Sequence, residues 1–545
     1  MTPFPDLVVT GGQVWDPERT DATAVAIRDG RIAAVGPDAE ILAAASPSTR
    51  RLDAEGGAIV PGFHDAHVHA VAAGLALLGC DLSDAHDVDG YAHIIRRFAA
   101  GTDDEWIVGA GWFGDAFPGG LPHRRLLDEL VPDRPAVLTS HDAHGVWVNS
   151  RALERARITD DTADPPAGRV VRDASGRATG VLFDAAGELV TRLIPRPDAQ
   201  RHRDALLAAQ ERLLSFGITS WHDAIVGEYL TIADPLPTYL EALADGSLRA
   251  RVTGSIWWPA DRGAADAPEI LERVHSARAA GFEATGVKIM QDGICENCTA
   301  ALLEPYRDVH PLTSGDSVIA PGELAEIVTA VDNAGLRVHF HGVGDRAVRE
   351  CLDAVETARQ RNGQGQRHQI AHLDLVSPED IPRFAELGVT ANLQPLWARA
   401  DQEILERKLP LIGEDRARWH FPFGSLRAAR AHLAMGSDWP VTSPDPLWGL
   451  YTACTRTAPP DDVHALNTES RETMNVAERL DLATALRAYT QGSAEVIGAQ
   501  DSVGRLTPGH LADIAILTGP LSDAGSLAEV RVAHTLVGGD VLYSR

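Results

Sequence analysis

Pro61-Gly62-Phe63-His64-Asp65-Ala66-His67-Val68-His69 is the stretch whose reading decides the fold. His67 and His69 are two residues apart. Positions i and i+2 of a β-strand point to the same face, so the two imidazoles converge on one point, as a metal site requires. The preceding run, Gly57-Ala58-Ile59-Val60, reads as the buried body of that strand. A lone His-x-His can also simply line a polar face. Its weight here comes from matching residues at the ends of later strands.

Seven further strand-like runs follow: 217–223 (GITSWHD), 251–257 (RVTGSIW), 286–291 (GVKIMQ), 337–341 (RVHFH), 368–373 (HQIAHL), 389–394 (VTANLQ) and 433–438 (LAMGSD). Between most of them lie Ala-, Leu- and Arg-rich stretches, such as ELAEIVTAVDNAG and PEDIPRFAELG, that end in Gly as helix C-termini do. Eight β-then-α units predict a (β/α)8 TIM barrel, an α/β fold with a parallel sheet. Both chain ends carry short apolar runs with Gly turns (DLVVTGGQVWD and AVAIRDGRIAAVG, then HTLVGGDVLYS). Residues 1–57 and 500–545 are therefore expected to build one small β-sandwich domain from both termini, flanking a barrel over 58–499. The interval after Cys80 is too long for a single βα connection. It holds its own strand patterns, EWIVGAGW, RPAVLTSHD, HGVWVNS and GRATGVLFD. Residues 81–215 are expected to form an inserted subdomain at the barrel mouth that shapes the pocket.

Composition narrows the function classes. With 49 basic and 77 acidic residues the net charge is −28, which repels nucleic acid and anionic membranes and makes neither an expected partner. Five cysteines in 545 residues do not form a disulfide framework, and a reducing, cytoplasmic setting fits. The N-terminus lacks a basic segment followed by an apolar core, so no signal peptide is expected. The longest apolar run, 70–80, is too short to span a bilayer and is expected to lead the first barrel strand into its helix.

The polar residues at the C-terminal ends of the predicted strands form a constellation. Strand 1 contributes His67 and His69, strand 4 Lys288, strand 5 His341, strand 6 His372 and strand 8 Asp438. All eight strands end on one face, so these six side chains can converge on a metal. His339 competes with His341, since both share a face in VHFHG. His341 is chosen because it lies closer to the strand end, which puts His339 a layer lower. Asp65 shares parity with His67 and is a candidate to orient a ligand imidazole through its free N–H. His64 has the opposite parity and reads as a packing residue.

Protonated Lys288 has no lone pair for a metal. Burial beside cations lowers its pKa, and the neutral amine can then take up carbon dioxide as a carbamate that bridges two metals. The alternative is an unmodified lysine paired with a carboxylate such as Asp292. Cys295 and Cys298 have Cys-x-x-Cys spacing but no second pair for a zinc knuckle, and read as loop residues, with Cys295 placed against substrate. Trp257, Trp258, Trp397 and Trp439 fall at or just beyond strand ends. Several of them at one mouth would make an aromatic-accepting pocket, with Trp257 and Trp439 as substrate contacts. There is no P-loop, no complete dinucleotide-binding unit and no nucleophile elbow.

PGFHDAHVH, GVKIMQDG, FHGVGDRAV, IAHLDLV, GSDWPV and GHLADIAIL together resemble the amidohydrolase superfamily. More narrowly they are similar to its amidohydrolase-3 branch, the group of YtcJ-like proteins and N-substituted formamide deformylases. The resemblance runs from about residue 7 to the C-terminus and includes HDAHGVWVNSRAL within the insertion. It implies one or two divalent metals at the barrel mouth, with His67, His69, His341, His372 and Asp438 as ligands and Lys288 where some members bridge. It also supports a substrate-facing role for His144. The expected reaction is hydrolysis of a C–N amide-type bond by metal-activated hydroxide, with Asp438 as proton shuttle. N-substituted formamides, N-acyl amines and cyclic amides are the expected substrate classes. A deaminase is the first alternative, but the acid such enzymes place three residues after the strand 5 histidine is Gly344 here. An ester or lactone hydrolase and a non-catalytic metal-binding protein are the others. Nitrogen and oxygen donors suit zinc, with iron, manganese and nickel open. A homodimer is the default expectation.

Overall fold

Eight parallel strands follow one another in sequence and in space: Phe63–Val68, Ile218–Val226, Arg251–Trp257, Glu283–Met290, Arg337–Gly342, Gln369–His372, Thr390–Leu393 and His432–Met435. This computed structural model describes residues 4–15, 21–118, 120–141, 145–165, 168–229, 233–309, 312–401, 403–464 and 468–545. The sheet closes on itself where the His69 N–H donates to the Trp439 carbonyl at 3.0 Å and the Asp438 N–H to the His67 carbonyl at 2.7 Å. The result is the expected (β/α)8 barrel. Its strands are covered on both faces, so they read as nearly unbroken buried runs rather than as alternating ones. Helices Pro321–Asn333, Asp345–Asn362 and Ile381–Leu387 fall in the connections whose patterns predict them. The last ends at Gly388, whose φ of 67° is the left-handed cap that glycine adopts most easily.

The terminal segments form two sheets. Leu7–Thr10, Ala24–Arg28, Arg31–Gly36 and Arg50–Asp53 make one of four strands. Gln13–Val14 and Ala58–Pro61 join the C-terminal strands Ile514–Leu517, Val532–Val537 and Asp540–Ser544 in one of five. Leu7, Val25 and Ile27 from the first sheet share a core with Ile59, Ile514 and Leu536 from the second. The run 57–60 is thus not the body of the first barrel strand. Ala58–Pro61 pairs with Gln13–Val14 and Ile514–Leu517, and the barrel strand begins only after Gly62. A Cβ at Gly62 would lie 2.3 Å from Thr219 Oγ1, so this crossing from one sheet to the next requires glycine.

Residues 71–209 form a second compact unit, starting and ending earlier than the expected 81–215. Its six-stranded mixed sheet has the spatial order Gly168–Arg172, Ala178–Asp184, Gly145–Val148, Ala136–Ser140, Ile107–Trp112, Cys80–Asp81. One face carries an apolar cluster around Tyr91, Trp112, Leu127 and Trp147. The apolar run 70–80 is the helix Ala70–Leu77 followed by an edge strand. No helix among the described residues is long and apolar enough to cross a membrane. All five cysteines are free thiols.

Candidate metal centre

His67 and His69 leave the end of barrel strand 1 on one face, and Asp438 meets them from the loop after strand 8. His69 Nε2 lies 3.1 Å from Asp438 Oδ1 and His67 Nε2 3.5 Å from the same atom. The three residues each offer a donor atom within 4.8 Å of the others. His372, at the end of strand 6, brings Nδ1 to 3.8 Å from Asp438 Oδ2. Its ring stands 4.9 Å from His67 and 4.3 Å from His341. Lys288 on strand 4 is buried, in register with His339 on strand 5, and its charge lowers the pKa of each of His67, His341 and His372. Five of the six expected side chains are therefore buried together, with His69 more open at the rim.

The donor set fits a divalent cation. Lys288 Nζ, His372 Nδ1 and Asp438 Oδ1 are buried with no hydrogen-bond partner among the described residues. Unsatisfied polar atoms clustered at one point are costly unless something binds them. Burial first, and then the neighbouring Lys288, hold His67 well below its usual pKa and push His341 down to about 3. Burial first, then His341 and Lys288, does the same to His372. All three imidazoles are therefore neutral and carry a lone pair. Burial pushes Lys288 down to about 7 against the opposing pull of Asp438, so a neutral amine is accessible near neutrality.

The local backbone is bent to make this arrangement. His372 has φ 78° and Asp438 φ 56°, left-handed conformations that cost side chains about 1 kcal/mol or more. Both are held by hydrogen bonds. The His372 N–H donates to Gln394 Oε1 at 2.7 Å. Gln394 Nε2 donates to Asn392 Oδ1, and Asn392 Nδ2 to the Ala66 carbonyl, which links strands 6, 7 and 1 below the site. At the strand 1–strand 8 seam, Asp65 Oδ1 accepts the N–H groups of His67 and Ser437, and Oδ2 accepts the Ser437 hydroxyl at 2.6 Å. Asp65 therefore does not orient an imidazole, as its parity suggests. It clamps the backbone that carries one.

Other expectations fare differently. Asp292 does not pair with Lys288. Its carboxylate accepts the N–H groups of Ala301, Val343 and Gly344 and fixes the loops after strands 4 and 5. Cys295 is fully buried in an apolar cluster with Ala300, Leu302, Tyr306 and Ile412, so the structure does not bring it to the site. His144 lies outside the described residues. Trp257 closes strand 3, opposite Lys288 in register, with Tyr229 packed edge-on at 4.7 Å. Trp397 stacks parallel on His372, ring centres 5.1 Å apart. Trp439 is buried, and its carbonyl takes part in the barrel closure described above.

Three residues escaped the sequence reading. His222 on strand 2 is buried, with Nδ1 and Nε2 each 2.8 Å from a hydroxyl, Thr253 and Ser255. Those two alternate on strand 3, a same-face signal legible in RVTGSIW. Asp223 accepts the Tyr239 hydroxyl at 2.6 Å. Tyr229 packs edge-on against Trp257, and burial and then the charge of Asp438 raise its hydroxyl above its usual pKa.

A model of the amidohydrolase family matches residues 50–543. The putative amidohydrolase YtcJ of Bacillus subtilis (strain 168) is 31% identical over 97% of this chain and 97% of its own. An N-substituted formamide deformylase of Arthrobacter pascens is 26% identical over 100% of this chain and 99% of its own. The crystal structure of an uncharacterized metal-dependent hydrolase from Pyrococcus furiosus superposes with a TM-score of 0.70 at 26% identity, covering 93% of this chain and 97% of that one. With five motifs in order on a closed barrel, a sixth in the terminal sheet, and a family match over nearly its whole length, this chain belongs to the amidohydrolase family and is a metal-dependent hydrolase.

Proposed function

We propose that the protein hydrolyses a C–N amide-type bond in a small molecule; His67, His69, His341, His372 and Asp438 would hold one or two zinc ions, and Lys288, as a carbamate, would add oxygen donors. The observation that carries this reading is the meeting of His67, His69 and Asp438 donor atoms within 4.8 Å, beside buried and unpartnered Lys288 Nζ and His372 Nδ1. Zinc suits a mixed imidazole and carboxylate set at a barrel mouth. Bound there, a divalent cation supplies Lewis-acid polarisation of the acyl oxygen and makes hydroxide available near neutrality. The Asp438 carboxylate takes the proton of the attacking water and returns it to the leaving nitrogen, which would otherwise depart as a poor anion. Trp257 and Tyr229 form an apolar wall suited to an aryl or alkyl substituent on that nitrogen. Similarity to a protein described as an N-substituted formamide deformylase makes formamides the first class to test. The free cysteines accord with a cytoplasmic setting, and a homodimer is the assembly to test first.

The test combines elemental analysis of purified protein with a panel of N-substituted formamides, N-acyl amines, cyclic amides, amino-heterocycles and esters. Zinc at one or two equivalents and amine release from amides are expected. Turnover of esters or ring amines alone would replace the bond assignment, and protein without bound metal would overturn the reading.

A further inference from the structure

We infer that His339 is the positioning residue for His67, accepting the proton of His67 Nδ1 so that the Nε2 lone pair is held toward Asp438. This inference rests on the metal reading above. His339 itself is not one of the six candidate ligands; it touches one of them. His339 Nε2 lies 3.0 Å from His67 Nδ1, and the rings meet edge-on, 4.6 Å apart at 87°. The opposite nitrogen of His67, Nε2, is the one that faces Asp438. A nitrogen that ligates a cation carries no proton, so a neutral His67 must carry its proton on Nδ1. That proton has to be donated, and the facing His339 Nε2 is then the acceptor. His339 in turn must keep its own proton on Nδ1. That atom is buried with no hydrogen-bond partner among the described residues. The tautomer that serves His67 is thus the one that leaves His339 with an unpaired N–H. An apolar side chain would avoid this cost if packing were the only demand.

The rest of the barrel floor holds His339 in place. It sits on strand 5 in register with Lys288 on one side and Gln369 on the other. The His222 ring lies 5.4 Å away, tilted by 31°. Both His222 nitrogens are engaged by Thr253 and Ser255, so that ring is fixed and supports His339 from the far side. His341, two residues on, turns to the Gly293 carbonyl at 3.2 Å instead. The two histidines of VHFH therefore divide their work between two layers. His341 is at the site, and His339 is beneath it.

The experiment compares wild type, His339→Gln and His339→Asn as full-length proteins, stripped and reloaded with Zn²⁺ in competition with a chelating dye. Cobalt-substituted samples are compared by visible absorption. Glutamine places an acceptor oxygen where His339 Nε2 stands, whereas asparagine is one bond too short. Asn is expected to lose about 10–100-fold in zinc affinity and to shift the cobalt bands, while Gln stays within a few-fold of wild type in both. His339→Phe, similar in size and without an acceptor, takes the place of Asn if Asn does not fold. Equal zinc affinity and equal cobalt spectra in wild type and Asn would overturn the inference. So would loss of a full zinc equivalent in both Gln and Asn, which would make His339 a ligand. Wild-type protein that takes up no zinc would instead overturn the metal reading itself, and this inference with it.

Discussion

Lys288 shows how one buried atom constrains the chemistry. Its amine has no hydrogen-bond partner among the described residues, and burial brings its pKa down to about 7. At neutral pH a substantial neutral fraction can add carbon dioxide, forming the N–C bond of a carbamate and releasing one proton. Lys288→Ala is expected to lower bound metal, and stripped wild type is expected to reload more completely with bicarbonate than without it. Elemental analysis checks both, and reloading that ignores bicarbonate would leave Lys288 unmodified. In the proposed reaction Asp438 moves the proton. Asp438→Asn keeps the size but removes the basic oxygen, so kcat is expected to fall by about 10²–10⁴-fold while zinc content stays within a few-fold. An equal loss of zinc would assign Asp438 to binding alone.

The seam between strands 1 and 8 brings Asp438 to His67 and His69. Strands 1 and 8 approach so closely that a Cβ on Gly436 would sit 2.4 Å from the His67 nitrogen and 2.7 Å from its Cβ. Gly436→Ala must push the two strand ends apart. The expected cost is about 1–3 kcal/mol in denaturant unfolding, with weaker metal retention than any exposed-loop glycine substitution shows. The strand ends were legible in the sequence because β parity is local. His67 and His69 share a face wherever their strand packs. The clamp was not legible, since the Asp65 carboxylate reaches Ser437, 372 residues away. Nor was the burial of Cys295. Cys-x-x-Cys spacing gives the width of a turn, and only the neighbouring Tyr306 and Ile412 decide that it faces inward.

At the scale of the whole molecule, the terminal sheets are tied to the barrel. Arg251 on strand 3 makes two bonds to the Asp513 carboxylate, at 2.6 and 3.0 Å, and Asp513 also accepts the Gly538 N–H at 2.7 Å. Asp513→Ala is expected to cost about 2–3 kcal/mol, because these are charge-assisted bonds to a buried carboxylate, and a shifted denaturation midpoint would show it. Near the same junction His64 is fully buried against Ser220, and burial lowers its pKa from 6.5 to about 4. Above pH 6.5 neither folded nor unfolded His64 binds a proton, and it contributes nothing. As pH falls from 6.5 toward 4 the unfolded chain takes a proton that the fold refuses. Stability then declines by about 3 kcal/mol from this residue, levelling off below 4. His222, lowered by burial to about 3, adds in the same direction. Denaturation midpoints across this range should fall with acid, and His64→Gln should flatten the slope. An unchanged slope would mean that His64 is not the group responsible.

The sequence by itself determined the order of eight βα units, the pairing of His67 with His69 and the placing of Lys288, His372 and Asp438 at strand ends. These follow from periods of two and 3.6 and from turn residues, which need no partner across the chain. Only the tertiary structure decided that residues 58–61 belong to the terminal sheet, that Cys295 faces inward, and that His67 turns Nε2 to Asp438 and Nδ1 to His339. Those outcomes depend on the stagger of neighbouring strands and on burial summed over many of them. Neither quantity exists until the barrel has closed.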